Sequence, residues 1–178
     1  MTTTGCDRVE TEHLILERLR PEHVAEVSIL MRDPRVAKTL TPTGEPLSDS
    51  EVLESHRAKL SHWGRYGFGL WLLRDRRTGE MVGRGGLQHT YVGGANEVEV
   101  GWAIVPDRWG EGLATELARA AVEVAKDQLG LDQIVAFTLP DNIASRRVME
   151  KAGFVYERDI VHAGLPHVLY RCKLAPAG

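Results

Sequence analysis

Apolar and polar positions alternate with two different periods along this chain, and the switches between them mark its elements. In "HLILERL" (His13–Leu19), Leu14 and Leu16 share one face and Ile15 and Leu19 the other, as in a strand. Pro21 stands where a first helical turn tolerates it. Val24, Val27, Leu30 and Met31 then fall on one stripe, predicting a helix over residues 22–31. "DPRVAKTLTPTGEPL" is turn-rich and is expected to wander over the surface. Ser48 followed three residues on by Glu51 reads as a capping box. Val52, His56, Leu60 and Trp63 continue from it as one helical face, with Gly64 as the expected stop.

The middle of the chain changes to strand patterns. "FGLWLL" and "MVGRGGLQ" flank the polar "RDRRTGE", predicting an antiparallel hairpin, and Glu97–Val105 forms a third strand closed by Pro106. The best helical stripe follows, with Leu113, Leu117, Ala121, Val124 and Ala125 on one side and Gly130 as its stop. "QIVAFTL" reads as a short buried strand, and a helix runs from near Asn142 to Gly153. "FVYERDI" and "HVLYRCKL" close the chain as a hairpin. These make an α+β fold with a mixed, twisted sheet of seven strands and about four helices. The helix-linked strands 97–105 and 133–139 must run parallel. Residues 1–178 are expected to be one domain, with residues 1–8 as a loose lead-in.

Composition narrows the class. Hydrophobic residues make up 43% and charged residues 26%, as in ordinary globular domains. A net charge of −3 gives no basic field for nucleic acid. Two cysteines, Cys6 and Cys172, make neither a disulfide framework nor a zinc site, which suits a reducing cytoplasm. No leader-like apolar segment and no run near the roughly 20 residues of a membrane span is present, so neither secretion nor a membrane partner is expected. Seven histidines without H-x-x-x-H spacing predict no metal site. His56, on a helix stripe, reads as packed, whereas His162 and His167 flank the last turn and could reach a cleft.

The chemistry concentrates in "RWGEGLATEL" (Arg108–Leu117). A strand, then Gly110-x-Gly112, then a helix brings free N–H groups and a positive helix end to one spot, a nest suited to pyrophosphate. No Lys follows Gly112, which excludes the Walker loop. A dinucleotide fingerprint would need glycine where Thr115 stands. A tight turn with no ligand remains open on this pair alone.

Together, "VEVGWAIVPDRWGEGLATELARAAVEVA" and "LPDNIASRRVMEKAGF" resemble the acetyl-CoA-binding half of the GNAT superfamily of N-acetyltransferases. They are most similar to the branch of ribosomal-protein N-terminal (RimJ/RimL-like) acetyltransferases. "TEHLILERLRPEH", "TGEMVGRGGL" and "HVLYRCKL" extend the resemblance over nearly the whole chain. The family's pyrophosphate loop appears here as Trp109-Gly110-Glu111-Gly112-Leu113-Ala114, with Trp departing from the Gln or Arg of the general pattern. The resemblance implies that amides from Gly110 to Thr115 cradle the diphosphate of acetyl-CoA. It implies that a bulge splays strand 97–105 from strand 133–139, and that Trp102, Ala103 and Ile104 pair with pantetheine in the gap. Asn142 and Ser145, opening the next helix, would touch the pantetheine arm, although Asn142 also reads as a plain N-cap. Relatives are often dimers, so a homodimer joins the expectations.

Glu97 and Glu99 sit two apart and share one strand face, predicting a water-lined cleft, since two dry carboxylates would be costly. An amine attacks a thioester only in its neutral form, so a base is useful. Family resemblance favours Glu99 for that role, with Glu97 second. Solvated carboxylates that merely attract a cation are the alternative. Where many relatives have a proton-donating tyrosine, this chain has Met149, which cannot donate. Ser145 is then the expected donor to the leaving thiolate, with a serine bonded to backbone as the alternative. The expected activity is transfer of acetyl from acetyl-CoA to a primary amine, on a peptide N-terminus or a small molecule. A non-catalytic acyl-CoA-binding protein of the same fold is the competing expectation.

Overall fold

The computed structural model describes Thr2, Thr3 and residues 5–174. Its strands are β1 (Thr2–Thr3), β2 (Arg8–Glu10), β3 (Leu14–Arg18), β4 (Leu70–Asp75), β5 (Met81–Val92), β6 (Ala95–Ile104), β7 (Gln133–Thr138), β8 (Val155–His162) and β9 (Leu165–Lys173). Its helices are α1 (Val24–Met31), α2 (Pro34–Leu40), α3 (Asp49–Tyr66), α4 (Leu113–Asp127) and α5 (Ile143–Lys151). All nine strands join one sheet in the order β1-β2-β3-β4-β5-β6-β7-β9-β8. Among the described residues only β6 and β7 pair in parallel, with α4 as the crossover between them. The fold class is therefore the expected mixed α+β sheet, with nine strands rather than seven and five helices rather than four. The two added strands are short: β1 pairs with β2, and β2 brings the fully buried Val9 opposite Leu16.

The added helix, α2, falls in the stretch expected to wander. Asp33 accepts the Arg35 N–H at 2.8 Å as N-cap, Pro34 opens the first turn, and Val36 and Ala37 are buried. The Asp-Pro pair thus starts a helix instead of a turn. In α3 the Ser48–Glu51 capping box forms as expected, but Gly64 lies inside the helix and Gly67, at φ 72°, ends it.

Helices α1 and α3 pack together, with α2 beside β6, while α4 and α5 pack together, with α4 against β5 and β6. The α4 stripe is fully engaged: Leu117, Ala121, Val124 and Ala125 are each 0% exposed. Its close approach depends on Gly85, where a Cβ would lie 2.3 Å from Leu117 Cδ2 and 2.7 Å from the Gly101 carbonyl oxygen. A side chain there would clash with the backbone of β6 as well as with Leu117.

Strand β6 holds β5 in unbroken antiparallel register from Val92↔Ala95 to Gly83↔Ile104. Towards β7 it makes a single bridge, Glu99↔Val135. The two parallel strands therefore part as expected. The parting involves no inserted residue against β5, since the expected bulge is absent from that ladder.

Candidate active site

The loop after β6 is built to leave amides free. Gly110 and Gly112 have φ of 83° and 80°, a left-handed conformation that costs a residue with a Cβ about 1–2 kcal/mol. Gly112 is the N-cap of α4 and supplies no side-chain cap. The helix's first hydrogen bond runs from the Glu116 N–H to the Gly112 carbonyl at 3.0 Å. Among the described residues, no acceptor meets the N–H groups of residues 110–115. These are the orphan donors of a helix start, gathered at its positive end. The loop itself is clamped: Arg108 reaches the Glu111 carboxylate at 2.8 Å and Asp75 Oδ2 at 2.8 Å. Arg108, with two turn amides, holds the Asp75 carboxyl down at about 2. The Trp109 indole N–H donates to the Ile104 carbonyl at 2.8 Å, tying the loop to the end of β6. Leu113 is buried in the core, so its contribution to a ligand is its backbone N–H.

The parted strands expose backbone groups of a definite set. Val105 N–H donates to the Val82 carbonyl at 2.9 Å, which makes 105/82, 103/84, 101/86 and 99/88 the pairs bonded towards β5. Backbone groups of Trp102 and Ile104 therefore point to the gap beside β7. With the Ile104 carbonyl taken by Trp109, the Ile104 N–H and both groups of Trp102 remain. Ala103, expected to share this role, directs its backbone to Arg84 instead and turns its side chain to Leu30 and Val36.

At the mouth of the gap, Asn142 is an N-cap. Its Oδ1 accepts the Ser145 N–H at 3.2 Å and its Nδ2 donates to Thr138 Oγ1 at 3.0 Å. The half-buried Ser145 has no hydrogen-bond partner for its hydroxyl among the described residues, so the backbone-bonded alternative does not hold. Met149 is buried.

Glu97 and Glu99 share the face opposite α4, but the expected water-lined cleft is not what surrounds them. Glu97 is locked to Arg171 at 2.8 and 3.1 Å, and Arg171 also holds Glu157 at 2.7 Å. Glu99 is only 9% exposed and accepts from Gln88 Nε2, while Lys59 Nζ donates to Gln88 Oε1 at 2.5 Å. Burial pushes the Glu99 carboxyl above the usual carboxylate range, with Gln88 and then Lys59 opposing. This relay offsets part of the cost of the buried carboxylate. Lys59, Gln88 and Arg108 were not singled out in the sequence. Gln88 was within reach there, since hairpin register puts it opposite Glu99; Lys59 comes from a distant segment, and Arg108, although inside the loop, has a partner in Asp75 that is 33 residues away.

His56 is packed, 1% exposed, with Nε2 against the Arg20 carbonyl at 2.8 Å. His162 and His167 pack against Phe137 at 4.7 and 5.7 Å between centroids, the first tilted and the second edge-on. No group of three or more His, Cys, Asp or Glu side chains could hold a metal among the described residues. A cleft of about 870 Å³ touches Gly112 and Thr115 and runs along α4 past Glu116, Arg119 and Glu123; neither carboxylate of β6 lines it.

A family model described as an acetyltransferase (GNAT) domain matches residues 13–155. The chain belongs to the GNAT acetyltransferase family. FsC-acetyl coenzyme A-N(2)-transacetylase of Aspergillus fumigatus is 30% identical over 163 residues, 88% of this chain and 68% of that protein. YkkB of Bacillus subtilis is 33% identical over 108 residues, and the chain spans 63% of its length. A structure from Bordetella pertussis assigned to the GnaT family superposes with a TM-score of 0.81 at 25% identity, covering 93% of this chain and 98% of that one. RimL, a ribosomal L7/L12 α-N-protein acetyltransferase solved with coenzyme A, shares the fold at a TM-score of 0.77 and 17% identity, covering 94% and 98%.

Proposed function

We propose that this chain is an acetyl-CoA-dependent N-acetyltransferase acting on a primary amine by direct attack within a ternary complex. The observation that carries the reading is the uncapped start of α4, six free amides beside the parting of β6 and β7. Those amides would hold the diphosphate, and the free groups of Trp102 and Ile104 would pair with the amides of pantetheine. Asn142, already capping α5, keeps one N–H for the same arm. The Ile104 N–H would donate to the thioester oxygen as charge develops there.

Glu99 takes a proton from the attacking ammonium or from the nitrogen as its bond to the acetyl carbon forms. Burial suits Glu99 to this role by raising its basicity. As the carbon–sulfur bond breaks, the Ser145 hydroxyl passes its proton to the departing thiolate while taking one from solvent. Glu97 is the weaker candidate for base because Arg171 already engages both of its oxygens. Both cysteines are free thiols, which supports a reducing cytoplasm, and burial raises the pKa of each, which argues against either as the nucleophile of a covalent acyl-enzyme. No helix among the described residues is long and apolar enough to cross a membrane. A homodimer and affinity for the RimJ/RimL-like branch remain part of this proposal.

Thiol release from acetyl-CoA across a panel of peptides and small amines tests it. Release that requires an amine is expected. Cofactor bound but never consumed would replace this reading with that of an acyl-CoA-binding protein.

A further inference from the structure

Arg84 is a cation sealed into the fold without a counter-charge. It lies in β5 opposite Ala103, is 7% exposed, and its Nη1 is buried with no hydrogen-bond partner among the described residues. Burial alone pulls its pKa down to about 10; no carboxylate opposes the effect. A buried guanidinium with an unmet donor is costly unless something completes it.

The surroundings indicate where that something sits. Strand alternation puts Arg84, Gly86 and Gln88 of β5 and Glu99, Gly101 and Ala103 of β6 on one face, about 7 Å from residue to residue along each strand. Beyond Gly101, where a side chain would project, nothing lies within 4 Å. This open spot is flanked along the face by Glu99 on one side and the Arg84–Ala103 pair on the other. His56, also on this side, has an orphaned Nδ1. Lys59 is engaged with Gln88, so Arg84 is the cation left to meet a ligand.

We infer that the acceptor is a small amine carrying a free carboxylate, its nitrogen over Gly101 beside Glu99 and its carboxylate on Arg84. This rests on the transferase reading and narrows its acceptor. A peptide N-terminus presents an amide where a free amino acid presents a carboxylate, so the inference selects small molecules over protein termini. Charge-assisted, bidentate pairing of a planar guanidinium with a carboxylate would supply the discrimination.

The test compares kcat/KM for free amino acids with kcat/KM for the corresponding amino-acid amides, in wild type and in Arg84→Met. Wild type is expected to prefer the acids about tenfold or more, as for loss of one charged hydrogen bond. Arg84→Met should bring that ratio close to one. Because the methionine removes an unpaired buried charge, its melting temperature should match or exceed that of wild type. Equal use of acids and amides by wild type, with turnover intact, overturns the carboxylate inference alone. So does an unchanged ratio in Arg84→Met, or a melting point lowered by more than about 5 °C, which would reveal a partner within the fold. No thiol release with any acceptor, while calorimetry still detects acetyl-CoA binding, would remove the transferase reading beneath it.

Discussion

Replacing Gly112 by alanine separates the loop's conformation from its ligand. Gly112 holds φ 80° and a Cβ built there meets no protein atom within 4 Å, so the fold itself is penalised only through the backbone. That penalty is about 1–2 kcal/mol. For a chain of this length it lowers the melting temperature by about 2–8 °C. The methyl group would project at the helix mouth, where the diphosphate is proposed to lie. Displacing the ligand enough to lose one charged hydrogen bond, worth about 1.5–3 kcal/mol, weakens Kd roughly 10- to 150-fold. Gly130→Ala is the control: its φ is 61° with nothing within 4 Å, and it follows the far end of α4. Both variants should melt earlier by similar amounts, and only Gly112→Ala should lose affinity for coenzyme A by titration calorimetry. Equal affinities in the two variants would refute a ligand at this helix start.

Glu99→Gln should reduce turnover by about a hundredfold or more, as for loss of a general base. Since burial raises the Glu99 carboxyl, wild-type activity should fall as pH drops through that elevated value; the variant should lack that acidic limb, and a limb that persists would remove the assignment. Ser145→Ala should cost a similar factor in kcat, read by thiol release; turnover within about twofold of wild type would exclude the donor role. Glu97→Gln should leave the acidic limb in place. It should destabilise the fold by about 1–3 kcal/mol in denaturant melts, because Arg171, with 16% side-chain exposure, loses its main partner.

What the sequence disclosed followed from how local each signal is. The α4 stripe, the α3 capping box and the Gly110–Gly112 turn depend on neighbours within a few residues, and all three stand in the structure as read. The surroundings of Glu97 and Glu99 did not follow, because Arg171 is 74 residues from Glu97 and Gln88 approaches Glu99 only through the β5–β6 register. Distant side chains engage both carboxylates on this face, Arg171 at Glu97 and the Gln88–Lys59 pair at Glu99. The backbone role assigned to Ala103 failed for a related reason: which amides face a gap is set by hydrogen-bond phase across β5, and Val105–Val82 fixes that phase. Asp33-Pro34 misled because the same dipeptide opens turns and helices, and burial of Val36 and Ala37 chose the helix.

The most direct measurement is the backbone amide NMR spectrum of the chain titrated with coenzyme A and, separately, with pantetheine, which lacks the diphosphate. Both ligands should move the Trp102 and Ile104 resonances. Coenzyme A alone should move those of Gly110 through Thr115. Saturating coenzyme A that leaves the Gly110–Thr115 amides where they began would contradict the account at its base.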